Sequence, residues 1–191
     1  MTSARSGERK LQILQALAHM LETPRGEKIT TAALARRLEL SEAALYRHFA
    51  SKAQMFDGLI EFIETSVFGL INQIAEREEN GREQTRAILM MLLNFAERNP
   101  GMTRVLTGDA LINEDSRLQS RMNQFYDRVE LAFRHSLRIA AAQGHSKEEE
   151  APIRAAVLLA FVSGRWQRYA KTGFSISLTG DMAAQAGLLL P

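Results

Sequence analysis

What most constrains this chain is the spacing of its apolar residues, which recur three and four apart along almost its whole length. Phe56, Leu59, Ile60, Ile63, Val67, Leu70 and Ile74 form one such stripe, the signature of a long amphipathic helix. Leu118, Met122, Phe125, Val129, Phe133, Leu137 and Ala140 form another, over residues 116–142. No stretch alternates apolar and polar residues between turn signals, so strands are not expected. The expected class is all-α.

Capping and breaking residues divide the pattern. A first helix is expected over Gly7–Leu21, with Ile13, Leu14, Leu17 and Leu21 inward and Pro24 and Gly26 as breakers. A second starts at Thr30 or Thr31 and runs to Leu38, and a third runs from Ser41 to near His48. Ser51-Lys-Ala-Gln54 has the form of a capping box and opens the long fourth helix. Beyond the loop Glu78–Gly81, helices are expected over Arg82–Arg98, Met102–Leu106, Ser116–Ala142, Glu148–Lys171 and Asp181–Leu190. Asn99-Pro100-Gly101 separates the first two of these.

Composition excludes several classes of function. The absence of cysteine rules out disulfides, a thiol nucleophile and thiolate metal sites. The longest apolar run, Ala155–Val162, is far short of the roughly 20 residues a membrane span needs, so no membrane partner is expected. Arg5, Arg9 and Lys10 precede any apolar stretch, no secretory signal is visible, and the cytoplasm is the expected compartment. None of the HExxH, GxxxxGK[ST] or GxGxxG patterns occurs, and His19, His48, His135 and His145 are scattered. Glu61 and Glu64 share a helix face and are expected to be solvated. The sequence therefore calls for no enzyme, no metal and no cofactor.

Charge points elsewhere. Residues 1–52 hold nine Lys/Arg against five Glu, and the remainder holds 15 against 17, so the net +2 hides a basic head on a mildly acidic body. Such a head suits a polyanion. Two short helices joined by a few residues, behind a longer one and ahead of a fourth, have the layout of a helix-turn-helix. In Ser41-Glu-Ala-Ala-Leu-Tyr-Arg-His-Phe49 the small Ala43 and Ala44 permit close approach to a groove. Tyr46, Arg47 and His48 offer polar groups, while Leu45 and Phe49, four apart, anchor the helix inward. The chain divides on this reading into a DNA-binding head, 1–52, and a helical body, 53–191.

Ile29-Thr-Thr-Ala-Ala-Leu-Ala-Arg-Arg-Leu38 followed by Leu40-Ser-Glu-Ala-Ala-Leu-Tyr-Arg-His-Phe-Ala-Ser-Lys52 resembles the tetracycline-repressor family. The resemblance implies a three-helix head that reads palindromic double-stranded DNA and a helical body that forms a homodimer. It maps Thr30, Ser41, Glu42, Ala44, Tyr46, Arg47, His48 and Lys52 to the DNA-facing surface. Within that set Tyr46, His48 and Lys52 are expected on phosphates, with Thr30 and Thr31 at the groove edge. One departure stands out: many relatives have glycine in the turn, where this chain has Glu39. A left-handed residue other than glycine costs about 1–2 kcal/mol, so a somewhat different turn is expected.

Met55-Phe-Asp-Gly-Leu-Ile-Glu-Phe-Ile-Glu64, Glu97-Arg-Asn-Pro-Gly101, Arg104-Val-Leu-Thr-Gly108 and Arg117-Leu-Gln-Ser-Arg121 resemble the nucleoid-occlusion branch of that family. That likeness, from about Arg9 to Phe174, implies a nucleoid-associated inhibitor of septum formation that recruits the division protein FtsZ when bound to DNA. Phe62, Arg98 and Asn99 match its partner surface, whereas Leu70 and Asn94 depart from it. The alternative, common in the wider family, is a transcriptional repressor released by a small ligand in the body. For the dimer, the last two helices are the expected surface, with Leu158, Val162 and Trp166 on it and the small Ala156, Ala160 and Gly164 beside them.

Overall fold

The computed structural model describes residues 2–23 and 29–190, the side chains of 2–6 excepted. The expected break at Pro24 and Gly26 lies outside the described residues. Within them the chain forms α1 (Thr2–Leu21), α2 (Thr31–Arg37), α3 (Glu42–Tyr46), α4 (Lys52–Arg77) and α5 (Gly81–Arg98). These are followed by α6 (Pro100–Leu106), α7 (Ser116–Ala142), α8 (Ala151–Lys171) and α9 (Met182–Leu189). Short 3-10 turns occupy Asp109–Leu111 and Glu148–Glu150, and no strand occurs among the described residues.

The helix starts follow from side chains that satisfy orphan amides. Thr30 accepts from the Ala33 amide at 3.1 Å, Ser41 from Ala44 at 3.2 Å and Ser51 from Gln54 at 3.2 Å. The Gln54 amide oxygen reaches one residue further than a capping box requires, accepting from the Ala50 N–H at 2.9 Å. Asn80 caps α5 by accepting from Arg82 and Glu83. Several boundaries differ from expectation: α1 begins at Thr2, α3 ends at Tyr46, leaving Arg47 and His48 in the following turn, α6 already begins at Pro100, and α8 begins at Ala151 after the 3-10 turn.

Helix α1 packs against α2, α4 and α6, while α5, α7 and α8 make the centre of the body. The seam between α1 and α6 is tight, because a Cβ on Gly101 would lie 1.8 Å from the Ala18 carbonyl oxygen. A second close approach joins α5 to α7, where a Cβ on Gly81 would meet the Ala140 nitrogen at 2.2 Å. Arg121 of α7 clamps α4, donating to Asp57 at 2.5 Å and Glu64 at 2.7 Å. Glu64 is therefore paired, contrary to the solvated carboxylate expected, and this holds the Arg121 guanidinium well above its usual range.

Two expectations about inward faces fail. On α4 the buried line continues through Ile63, Val67 and Ile71, leaving Leu70 38% exposed. Leu70 lies instead on the side of α4 that, with Ile74, Ala87 and Met91, lines an open groove against α5. On α8, Leu158, Val162 and Trp166 are buried in the chain's own core and do not form an outer dimer face. The Trp166 indole N–H donates to the Leu92 carbonyl of α5 at 3.3 Å, which fixes that side of α8 inward. The opposite side presents Ile153, 66% exposed, and Val157, 50% exposed, with Ala160 and Gly164 continuing the line.

Candidate nucleic-acid interface

The head's geometry is set by the turn between α2 and α3. The Leu40 amide donates to Ala35 and the Glu39 amide to Arg36, at 2.9 and 3.1 Å, which closes α2 in a Schellman motif. That motif needs a left-handed residue after the cap, and Glu39 supplies it at φ 54°. The turn thus keeps the geometry glycine would give, instead of departing from it. Leu45, fully buried, and Phe49 then fasten α3 to the head's core, so the rest of the helix faces out.

On that outward face Ser41, Glu42 and Arg47 are exposed, and Tyr46 is 45% exposed. Ala44 and His48 are half-buried. Thr31 donates to the Glu42 carboxylate at 2.6 Å, and the Tyr46 hydroxyl lies 3.5 Å from the Thr31 hydroxyl. These contacts place the start of α2 beside α3, so Thr31, Glu42 and Tyr46 form one polar surface. Thr30 and Ser41 stand at the N-termini of the two helices, where orphan amides also favour anions. Lys52 stands apart from this group. Its ammonium is paired with Glu114 on the loop before α7.

A second surface lies on the outer side of α4 and α5. Phe62 is 38% exposed, and Leu70 is two turns further along the same face. Leu70, Ile74, Arg77, Ala87 and Met91 line a shallow groove of about 370 Å³ between the two helices. Arg98 is exposed at the end of α5. Asn99 is committed to the backbone: its side-chain amide donates to Phe95 at 2.7 Å, and the residue closes α5 and opens α6.

Chains with this body exist elsewhere. Residues 25–59 match the family model for bacterial regulatory proteins of the tetR family, and residues 82–190 match a tetracyclin repressor-like C-terminal domain of SlmA-like type. Over 191 residues the chain is 46% identical to the nucleoid occlusion factor SlmA of Vibrio vulnificus, covering 99% of this chain and 97% of that one. The chain belongs to the SlmA family. SlmA from Aliivibrio fischeri is 47% identical over 191 residues, and that from Sodalis glossinidius 47% over 184. The likeness to SlmA proteins therefore runs beyond the span Arg9–Phe174 that the motifs cover.

Solved structures agree at the level of the fold. The fatty acid degradation regulator FadR from Bacillus halodurans superposes with a TM-score of 0.81 at 13% identity, covering 95% of this chain and 94% of that one. The tetR-family regulator PfmR from Thermus thermophilus gives 0.76 at 20% identity, covering 93% and 96%. Proteins of the SlmA family are DNA-binding regulators, and no helix among the described residues is long and apolar enough to cross a membrane.

Three residues that this SlmA-family chain uses at its seams escaped the sequence reading. Arg121, seen only as part of a motif, clamps α4 to α7. Glu114 meets Lys52 across 62 positions, a separation no local pattern reveals. Glu97 accepts from the Leu178 amide at 2.9 Å and the Thr179 hydroxyl at 2.8 Å, pinning the segment before α9. Burial pushes the Glu97 carboxyl up, but these bonds and the Arg165 charge outweigh it and hold the group below its ordinary value.

Proposed function

We propose that this chain is a nucleoid occlusion factor. A homodimer presents two heads, residues 1–52, to palindromic DNA, and its bodies, residues 53–191, block FtsZ assembly while DNA is bound. The reading is carried by the likeness to SlmA across the body, residues 82–190 included, because bodies are where tetR-type proteins differ in what they do. Thr30, Thr31, Ser41, Glu42, Ala44, Tyr46, Arg47, His48 and Lys52 face DNA, with Tyr46, His48 and Lys52 on phosphates. Phosphate contacts set register, so Tyr46→Ala weakens binding to every duplex, whereas changes at the start of α3 alter sequence preference.

FtsZ docks on the outer side of α4 and α5, around Phe62, Arg98 and Asn99. Aromatic rings, phenylalanine included, and arginine are side-chain types enriched at interfaces. The exposed Leu70 adds apolar surface to the same face. The dimer forms through the outer side of α8, where Ile153, Val157, Ala160 and Gly164 lie in line. The protein acts in the cytoplasm, at the nucleoid.

Mapping bound sites across the chromosome tests the proposal. Many sites spread outside promoters are expected, together with co-sedimentation of FtsZ that added duplex enhances and Phe62→Ala abolishes. A handful of sites beside one operon, with DNA release by a small effector, would instead mark a ligand-responsive repressor.

A further inference from the structure

Of the DNA-facing set, Lys52 is the one that the structure ties to the body. Its ammonium pairs with the Glu114 carboxylate and lies over the Phe56 ring, 5.6 Å from the centroid. Both charged side chains are largely shielded, at 25% and 17% exposure. Glu114 sits on a built turn. Its amide donates to Leu111 at 3.1 Å, the preceding Asn113 is left-handed at φ 66°, and the following Asp115 caps α7. Asparagine tolerates that conformation better than other side chains, so the turn holds the carboxylate in place against the first residue of α4.

A carboxylate and a phosphodiester offer a lysine the same thing, anionic oxygen. An ammonium on a four-carbon stem swings readily between two such partners, but it has a single positive charge to share. We propose that in the DNA-free protein Glu114 stands in for a backbone phosphate on Lys52, and that DNA binding transfers the ammonium from Glu114 to phosphate. Glu114 is thus an internal competitor that lowers affinity for all duplexes alike. Its release leaves an unpaired carboxylate at the head–body junction beside Phe56, Arg104 and Asp109, so DNA occupancy is felt at the start of α7. The exchange rests on the reading of Lys52 as a phosphate contact.

Fluorescence anisotropy over a salt series separates the two ideas, using the full chain with a duplex enriched from a random pool and with an unselected duplex. Glu114→Gln is expected to tighten both duplexes about threefold to tenfold, and Glu114→Ala to do the same. Lys52→Met is expected to weaken both and to lower the salt slope by about one. In the Lys52→Met background, Glu114→Gln is expected to change nothing. Equal tightening with and without Lys52 would overturn the exchange, since Glu114 would then act only as a distant repulsive charge. Unchanged or weaker binding by Glu114→Gln would overturn it too. Unchanged affinity and slope in Lys52→Met would remove the phosphate contact itself.

Discussion

Glu39 takes a backbone conformation, φ 54°, that disfavours any side chain with a Cβ, yet it sits in the turn that aims α3. Its cost of about 1–2 kcal/mol is borne because the Schellman bonds to Ala35 and Arg36 and the burial of Leu45 fix the turn from both sides. Glu39→Gly removes that strain but frees the unfolded chain, which takes back about 0.5–1 kcal/mol. A net gain of up to about 1.5 kcal/mol is expected, read as a higher urea midpoint with an unchanged slope. Loss of stability would mean that the Glu39 side chain makes a favourable interaction outweighing its backbone strain. The same residue shows how far local chemistry can be read in advance. A missing glycine flags strain, but only long-range packing decides whether the turn yields or the residue does.

Elements meet through contacts of two kinds, and each makes a prediction. Helix α6 lies so close on α1 that a Cβ at position 101 meets backbone, which cannot rotate away. Gly101→Ala is expected to destabilise by about 1–3 kcal/mol or more and to lower specific DNA affinity, since α1 carries the head; urea unfolding and anisotropy check it. The segment before α9 is instead held by polar bonds to Glu97, with Arg165 donating to the Ser177 and Leu178 carbonyls. Because folding lowers the Glu97 pKa, its contribution is complete above the ordinary carboxylate value and fades as the pH falls through the lower folded one. Glu97→Gln is expected to flatten the acid limb of a melting-temperature profile and to speed hydrogen exchange at Leu178. The helices themselves were legible because several starts are chemical: Thr30, Ser41 and Ser51 announce themselves. Glu97 and Glu114 were not, because their partners lie 81 and 62 residues away and nothing local marks them.

At the scale of the whole molecule, α8 in the proposed dimer decides how many heads reach DNA. Its sequence is apolar nearly all round, and periodicity alone cannot say which of two stripes belongs to the chain's own core. The larger stripe, Leu158, Val162 and Trp166, is taken by α5 and α7, because an indole N–H and its ring area are best satisfied inside. What remains outside is the line Ile153, Val157, Ala160 and Gly164, whose small members allow a second helix to come near. A twofold pair is isologous, so one charge on this line meets its own copy across the axis and is doubled in effect. Val157→Glu is therefore expected to give monomers at micromolar concentration in sedimentation, and affinity for a full palindrome should drop to that of a half-site. The buried Trp166 reports whether the fold survives: its emission should stay at short wavelength in the monomer, since it packs within one chain. A dimer that persists with glutamate at 157 would place the interface on another face of the body.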